Sequence, residues 1–104
     1  MPAMTEVSKG VNVSSLNPGS VLDVGTKNHR YRIECVRGDE VRISGHPTIC
    51  PGPTAAQILG SSSHSWGDME EGLVCPGKHL VFQRLDEDRA ITTSAITDIR
   101  VQTN

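Results

Sequence analysis

An all-β chain is what this sequence predicts: a small barrel or compact sandwich of about five to seven short antiparallel strands, with at most one short helical turn. Three observations carry that expectation. Apolar runs of period two recur between turn residues from about position 20 onward. Gly and Pro, 10 and 6 of 104 residues, punctuate those runs at short intervals, which disfavours helices. Only Tyr31, Trp66 and Phe82 are aromatic, so the core has to be assembled from Val, Ile and Leu. At 104 residues the chain holds one domain at most, with stability toward the low end of the usual ~5–15 kcal/mol.

Residues 1–19 carry Ser, Asn, Gly and Pro with only one isolated alternation, Val11-Asn12-Val13, and read as a flexible N-terminal arm. Residues 20–104 read as a single small β-barrel domain. Its first strand is the run 21–24. The next two, 31–36 and 41–44, form a hairpin around Arg37-Gly38-Asp39, and parity fixes the connection. A two-residue turn alone would set Ile43 opposite Glu34. A three-residue loop or a bulge pairs 35 with 41 and 33 with 43, apolar against apolar. The outer face of that hairpin then shows Arg30, Arg32, Glu34 and Arg42, a modest positive patch. The tripeptide Arg37-Gly38-Asp39 also spells an integrin-binding motif, but that role needs extracellular exposure, and a turn is the reading adopted.

Pro53 to Gly60 fits either one helical turn, with Pro near its start and Gly as its stop, or a short strand. The stretch from Gly60 to Gly72 is long for a connection in so small a domain, which marks it as functional or mobile. A short run at 73–75 precedes a second hairpin, 80–93, turning through Asp86-Glu87-Asp88-Arg89 with Leu80, Phe82 and Ile91 facing the core. Ile96 and Ile99 are three apart, which suits one 3₁₀ turn before the closing strand ends at Val101. That strand, turn, strand ending is similar to the ending of SH3-like small barrels, a resemblance of architecture that implies no activity.

Ten basic and twelve acidic residues leave a formal charge of −2, so the strongly basic footprint of a nucleic-acid binder is absent. The start of the chain lacks the basic and apolar segments of a secretory signal, and no run approaches the ~20 apolar residues of a membrane span. The chain therefore reads as soluble and cytoplasmic, with Cys35, Cys50 and Cys75 as thiols.

The most specific chemical pattern is His46-x-x-x-Cys50 with Cys75-x-x-x-His79, two pairs in mirror order. Zinc takes about four such ligands in a tetrahedron, so the set is chemically complete. Four residues of extended chain span ~13 Å, however, and Pro47, Pro51, Pro76 and Gly77 would have to fold each pair back on itself. Ordinary core thiols and solvated imidazoles are the competing reading. Trp66, with His64 beside it in the Gly- and Ser-rich stretch, would serve as an exposed anchor for a partner or fold inward as a lid. Asp68, Glu70 and Glu71 lack the alternating pattern of a calcium loop. No Gly-x-Ser-x-Gly elbow, phosphate-binding Gly-Lys-Ser/Thr loop or His-Glu-x-x-His pair occurs.

The expectation is therefore a non-catalytic binding or assembly module that works through exposed strand edges and the loop around Trp66, with a protein partner or self-association, and without a resident cofactor. Two alternatives stand beside it. One is a zinc-binding module built on His46, Cys50, Cys75 and His79. The other is RNA or single-strand binding through Arg30, Arg32 and Arg42, weakened because few aromatics are available to stack bases.

Overall fold

A computed structural model describes residues 5–63 and 69–103. Ten strands form: β1 (Thr5–Glu6), β2 (Val11–Asn12), β3 (Val21–Thr26), β4 (Arg30–Arg37), β5 (Glu40–Ser44), β6 (Thr54–Ser62), β7 (Met69–Glu71), β8 (Leu73–Val74), β9 (His79–Arg84) and β10 (Ala90–Gln102). One 3₁₀ turn, Val13–Ser15, is the only helical element among the described residues. No helix is long and apolar enough to cross a membrane.

Every strand pairing is antiparallel, and six of the strands close on themselves. Neighbours run β3, β4, β5, β6, β9, β10 and back to β3, so the ring follows chain order apart from the excursion through β7 and β8. Closure is possible because β10 is 13 residues long and serves two neighbours in turn, Ala90 to Ala95 against β9 and Ile96 to Gln102 against β3. Side chains at alternate positions point inward. Leu22 and Val24 on β3, Ile33 on β4, Ile43 on β5, Phe82 on β9 and Ile99 on β10 are all fully buried in the shared core.

The β4–β5 hairpin has the register that parity demands, Ile33 opposite Ile43 and Cys35 opposite Val41. The extra residue is Val36, bulged between Cys35 and Arg37, while Arg37 and Glu40 flank a two-residue turn. Gly38 adopts φ +57 at the first central position, where a hairpin turn of the primed kind uses glycine.

Two bulges explain what the sequence pattern obscures. Ile96 and Ile99 both face inward although three apart, because the register slips between Ile96 and Asp98 and inserts one extra residue into β10. No 3₁₀ turn interrupts the strand there, which corrects the expectation for this segment. The open choice over 53–60 resolves as strand: β6 buries Ala56 and Ile58, then slips between Ile58 and Gly60.

The described part of the segment expected to be a flexible arm, residues 5–19, carries two short strands and a 3₁₀ turn. β2 pairs with β8, Val11 opposite Val74, and Val13 is fully buried with its N–H donating to the Gly72 carbonyl at 3.0 Å. Asn12 caps the 3₁₀ turn, its side-chain oxygen accepting from the Ser14 N–H at 3.1 Å and the Ser14 hydroxyl at 2.7 Å. β1 lies along β10, Thr5 opposite Val101, and the Val7 N–H donates to the Ile99 carbonyl at 2.8 Å. Burial of two valines supplies enough apolar contact to order a short stretch whose polar residues alone read as mobile.

Candidate functional site

Arg30, Arg32 and Arg42 do share one outer face, as the hairpin register requires, but the positive patch does not survive the addition of neighbouring strands. Asp23 and Asp98 come from β3 and β10 onto the same face. The Arg30 guanidinium donates to Asp23 at 2.6 Å and to both carboxylate oxygens of Asp98 at 2.9 and 3.0 Å. Gly25 lies between them in the register, and a Cβ there would sit 2.2 Å from an Asp98 oxygen. The missing side chain is what lets the ion pair cross β3. Arg30 holds the Asp98 carboxyl below its ordinary range, chiefly by hydrogen bonding. Arg42 lies 3.9 Å from Glu34, and Arg32 sits opposite Asp23 without an ion pair to any described carboxylate. Asp23, Glu34 and Asp98 thus offset most of the charge of Arg30, Arg32, Arg42 and Arg100 on this wall, which weakens its attraction for a phosphate backbone.

Strand edges are scarcer than an open barrel would leave them. Because the ring closes, the large sheet ends in β1 and β7, two and three residues long, while residues 90–94 of β10 pair with β9 alone among the described strands and keep one side open. Both ends of the sheet carry carboxylates, Glu6 on β1 and Glu70 and Glu71 on β7. Like charges on short edges oppose pairing between identical copies.

The four residues of the proposed zinc set divide. Cys50 is fully buried in the core, and burial pushes its thiol up. Residues 46–50 do turn back, since the Cys50 N–H donates to the His46 carbonyl at 3.1 Å. The His46 ring, however, accepts the Thr48 and Ile49 N–H groups at Nδ1, both at 3.1 Å, which places its own proton on Nε2 and leaves neither nitrogen free as a ligand. That ring stacks near His29, centroids 4.4 Å apart. Cys75 lies instead against Gly10, where an added Cβ would stand 2.6 Å from its sulfur. His79 is the one member oriented as metal ligands are, with Nδ1 2.8 Å from the Thr93 carbonyl and no partner at Nε2 among the described residues. Among the described residues no three His, Cys, Asp or Glu side chains gather closely enough to hold a metal ion.

His79 also faces Ser62 across the β6–β9 register, a serine and histidine on one face. The Ser62 hydroxyl finds no hydrogen-bond partner among the described residues, and the residue is 4% exposed. His64 and Trp66 lie outside the described residues.

A concave surface appears where the sequence offered no chemical motif. Between β1, the turn after β2 and the end of β10 lies an open groove of about 490 Å³. Its floor is aliphatic, with Val7, Val11, Leu16 and Val101, and none of the described residues that line it is charged. The geometry follows from β1 and β10 extending the inward-facing row past the ring: Val11 and Val101 belong to the core cluster, and Val7 and Leu16 are half-buried against it. The isolated alternation Val11-Asn12-Val13 was the one sequence signal that this segment is structured. Val7 and Leu16, singly placed among polar residues, gave none.

No protein-family model, curated protein or solved structure matches the chain.

Proposed function

We propose that this protein is a non-catalytic binding or assembly module whose contact surface is the groove between β1, the Asn12–Leu16 turn and the end of β10. One observation carries the reading: hydrophobic core continues into an open cleft of about 490 Å³ that no charged side chain lines among the described residues. Its volume falls within the ~300–1,000 Å³ of small-molecule clefts, which are mostly apolar. Its aliphatics are buried or half-buried, and the large exposed apolar residues, Met69 and Leu85 among the described residues, lie outside it.

The cleft is preferred to the strand edges because both ends of the large sheet are short and acidic, although residues 90–94 of β10 also keep one side open. Asp23 and Asp98 weaken the cationic patch on which the nucleic-acid reading draws. For zinc, the orientation of His79 is the single favourable feature.

The test is a methyl NMR titration of the full chain with 1-hexanol, an uncharged aliphatic probe. Shifts confined to Val7, Val11, Leu16 and Val101 support the reading. Changes spread across the core, or none at all at millimolar probe, overturn it.

A further inference from the structure

One open stretch of sheet is not guarded by charge. Residues 90–94 of β10 pair with β9 on one side and with no described strand on the other, which leaves that side of the strand without a ladder partner. Independently of the groove, we infer that this edge takes a second copy of the same chain, the two strands pairing antiparallel about a two-fold axis at Thr92. The β1 and β7 ends carry Glu6, Glu70 and Glu71, whereas Ala90-Ile91-Thr92-Thr93-Ser94 holds no charge and no proline, the devices that keep an edge from pairing. Ile91, Thr92 and Thr93 are β-branched, the type that packs well on a pleated surface.

The segment is complementary to itself. Pairing about Thr92 sets Ala90 opposite Ser94, Ile91 opposite Thr93 and Thr92 opposite Thr92. Exposure keeps step with that register: Ala90 and Thr92 are exposed, Ile91 is half-buried and Thr93 buried, so each face meets its like. A Thr–Thr contact across the axis is a favourable cross-strand pair. Both ends of the window are defined as well. Past Ser94 the turn after β3 takes over the open side, the Lys27 N–H donating to the Ala95 carbonyl at 3.0 Å and the Asn28 N–H to the Ser94 hydroxyl at 3.2 Å. Before Ala90 the chain leaves the sheet through residues 85–89. The two-fold sets these features against each other, the acidic turn of the second copy beside Lys27 of the first. Arg84 engages Asp86 and Glu87, and Arg89 lines a cleft of its own copy with Ile49 and Ile91. Asp88 and Lys27 are exposed and have no ion pair among the described residues, so each copy brings the charge that the other lacks. A strand from another protein would use the same backbone groups without this match. Five residues a side fall short of the roughly 1,200 Å² of a stable interface, so the association is weak and reversible.

The test is sedimentation equilibrium of the full chain from micromolar to millimolar concentration, with backbone amide NMR over the same range. The apparent mass should rise from one chain toward two, and the amides of residues 90–94 should shift with concentration. Because Thr92 meets itself, Thr92→Lys and Thr92→Glu should each weaken association roughly fivefold or more, and an equimolar mixture of the two variants should regain it. Thr92 is exposed, so both variants should keep the parent's methyl shifts at Ile33 and Ile43, deep in the ring. A single-chain mass at millimolar concentration overturns the inference and leaves the groove's role, decided by 1-hexanol, untouched. Concentration-dependent shifts at Val7, Leu16 and Val101 in place of residues 90–94 overturn it too, as do variants that associate like the parent. Association lost in both variants and not regained on mixing overturns it as well, since the strands then do not cross at Thr92.

Discussion

Strand β10 takes part in two regions that handle charge in opposite ways. On its outward side Asp98 and Arg100 join Asp23, Arg30, Arg32 and Glu34 in a wall where carboxylates and guanidinium groups alternate across strands, Arg30 bridging two of the acids. On its inward side, a few residues on, Val101 floors a groove with no ionisable side chain among its described lining residues. The wall is dense in charge yet presents little net field, because each strand supplies what its neighbour lacks. The groove is conspicuous for its hydrocarbon, since the row of inward side chains outruns the ring that would cover it. Counting cations on one hairpin therefore overstated the positive patch, because the carboxylates of Asp23 and Asp98 reach it from strands that the hairpin alone does not include.

The largest expected effect contrasts a glycine from each region. At the end of the wall Gly45 has φ +124, and a Cβ would lie 2.1 Å from the backbone carbonyl oxygen of Arg30. Gly45→Ala should cost roughly 3 kcal/mol or more, from the strained conformation together with a clash against backbone that cannot rotate away. In the groove, the Cβ of Gly10→Ala would meet the Cys75 sulfur at 2.6 Å, a side-chain atom that can move, and about 1 kcal/mol is expected. Urea midpoints of the two variants test the ranking. Equal losses would mean that the wall's backbone is as yielding as the groove's side chains.

Behind the wall, burial chiefly, with a smaller contribution from Cys50, pushes the Tyr31 hydroxyl up to about 12 from 10.0. The folded state thus holds this proton more tightly than the unfolded state does. Stability from this group is complete below pH ~10 and is lost as pH rises toward 12, by roughly 2–3 kcal/mol. Cys35 and Cys50 are raised by burial as well, so the decline begins near their ordinary value of 9.0. Tyr31→Phe should flatten the part between pH 10 and 12 and leave the earlier part, as read by denaturant melts across that range. An unchanged slope would place the hydroxyl in contact with solvent.

How much of this was legible in the sequence differs by region for a physical reason. The β4–β5 register followed from parity, because Ile33, Cys35, Val41 and Ile43 must share one face and only one pairing allows it. Phe82 and Ile91, expected to meet in the core, do stand opposite one another, Ile91 half-buried. Period-two reasoning failed where a bulge inserted a residue: the Ile96, Ile99 spacing looked helical because a slip in a strand and a 3₁₀ turn both bring positions three apart to the same side. It failed again in the N-terminal segment, where β1 and β2 are two residues each and too short to show any period. The groove was illegible for that same cause, its floor being drawn from single aliphatics in segments with no pattern.

A smaller effect is expected from breaking the bridge in the wall. Asp98→Asn removes a carboxylate that Arg30 keeps below its ordinary value of 3.8, so its stabilisation is present above that pH and fades as pH falls through the lowered value. The Arg30 side chain is 48% exposed, which limits the loss at pH 7 to roughly 0.5–1 kcal/mol and makes it salt-sensitive. Difference melts between the two proteins at low and high salt should converge at high salt. A salt-independent gap would show that Asp98 acts through packing around Gly25 rather than through charge.

The smallest change in stability should come with the largest change in selectivity. Thr103 is exposed at the groove rim, so Thr103→Lys should leave the urea midpoint within roughly 0.5 kcal/mol of the parent. It would, however, place a cation beside a groove whose described lining is uncharged. If that neutrality matters to what the cleft accepts, 1-hexanol should shift the methyls of Val7, Val11, Leu16 and Val101 in the parent protein and saturate them less readily in the variant. If the alcohol binds both proteins alike, the rim has no part in selection, and the cleft and the wall differ in composition without differing in what they recognise.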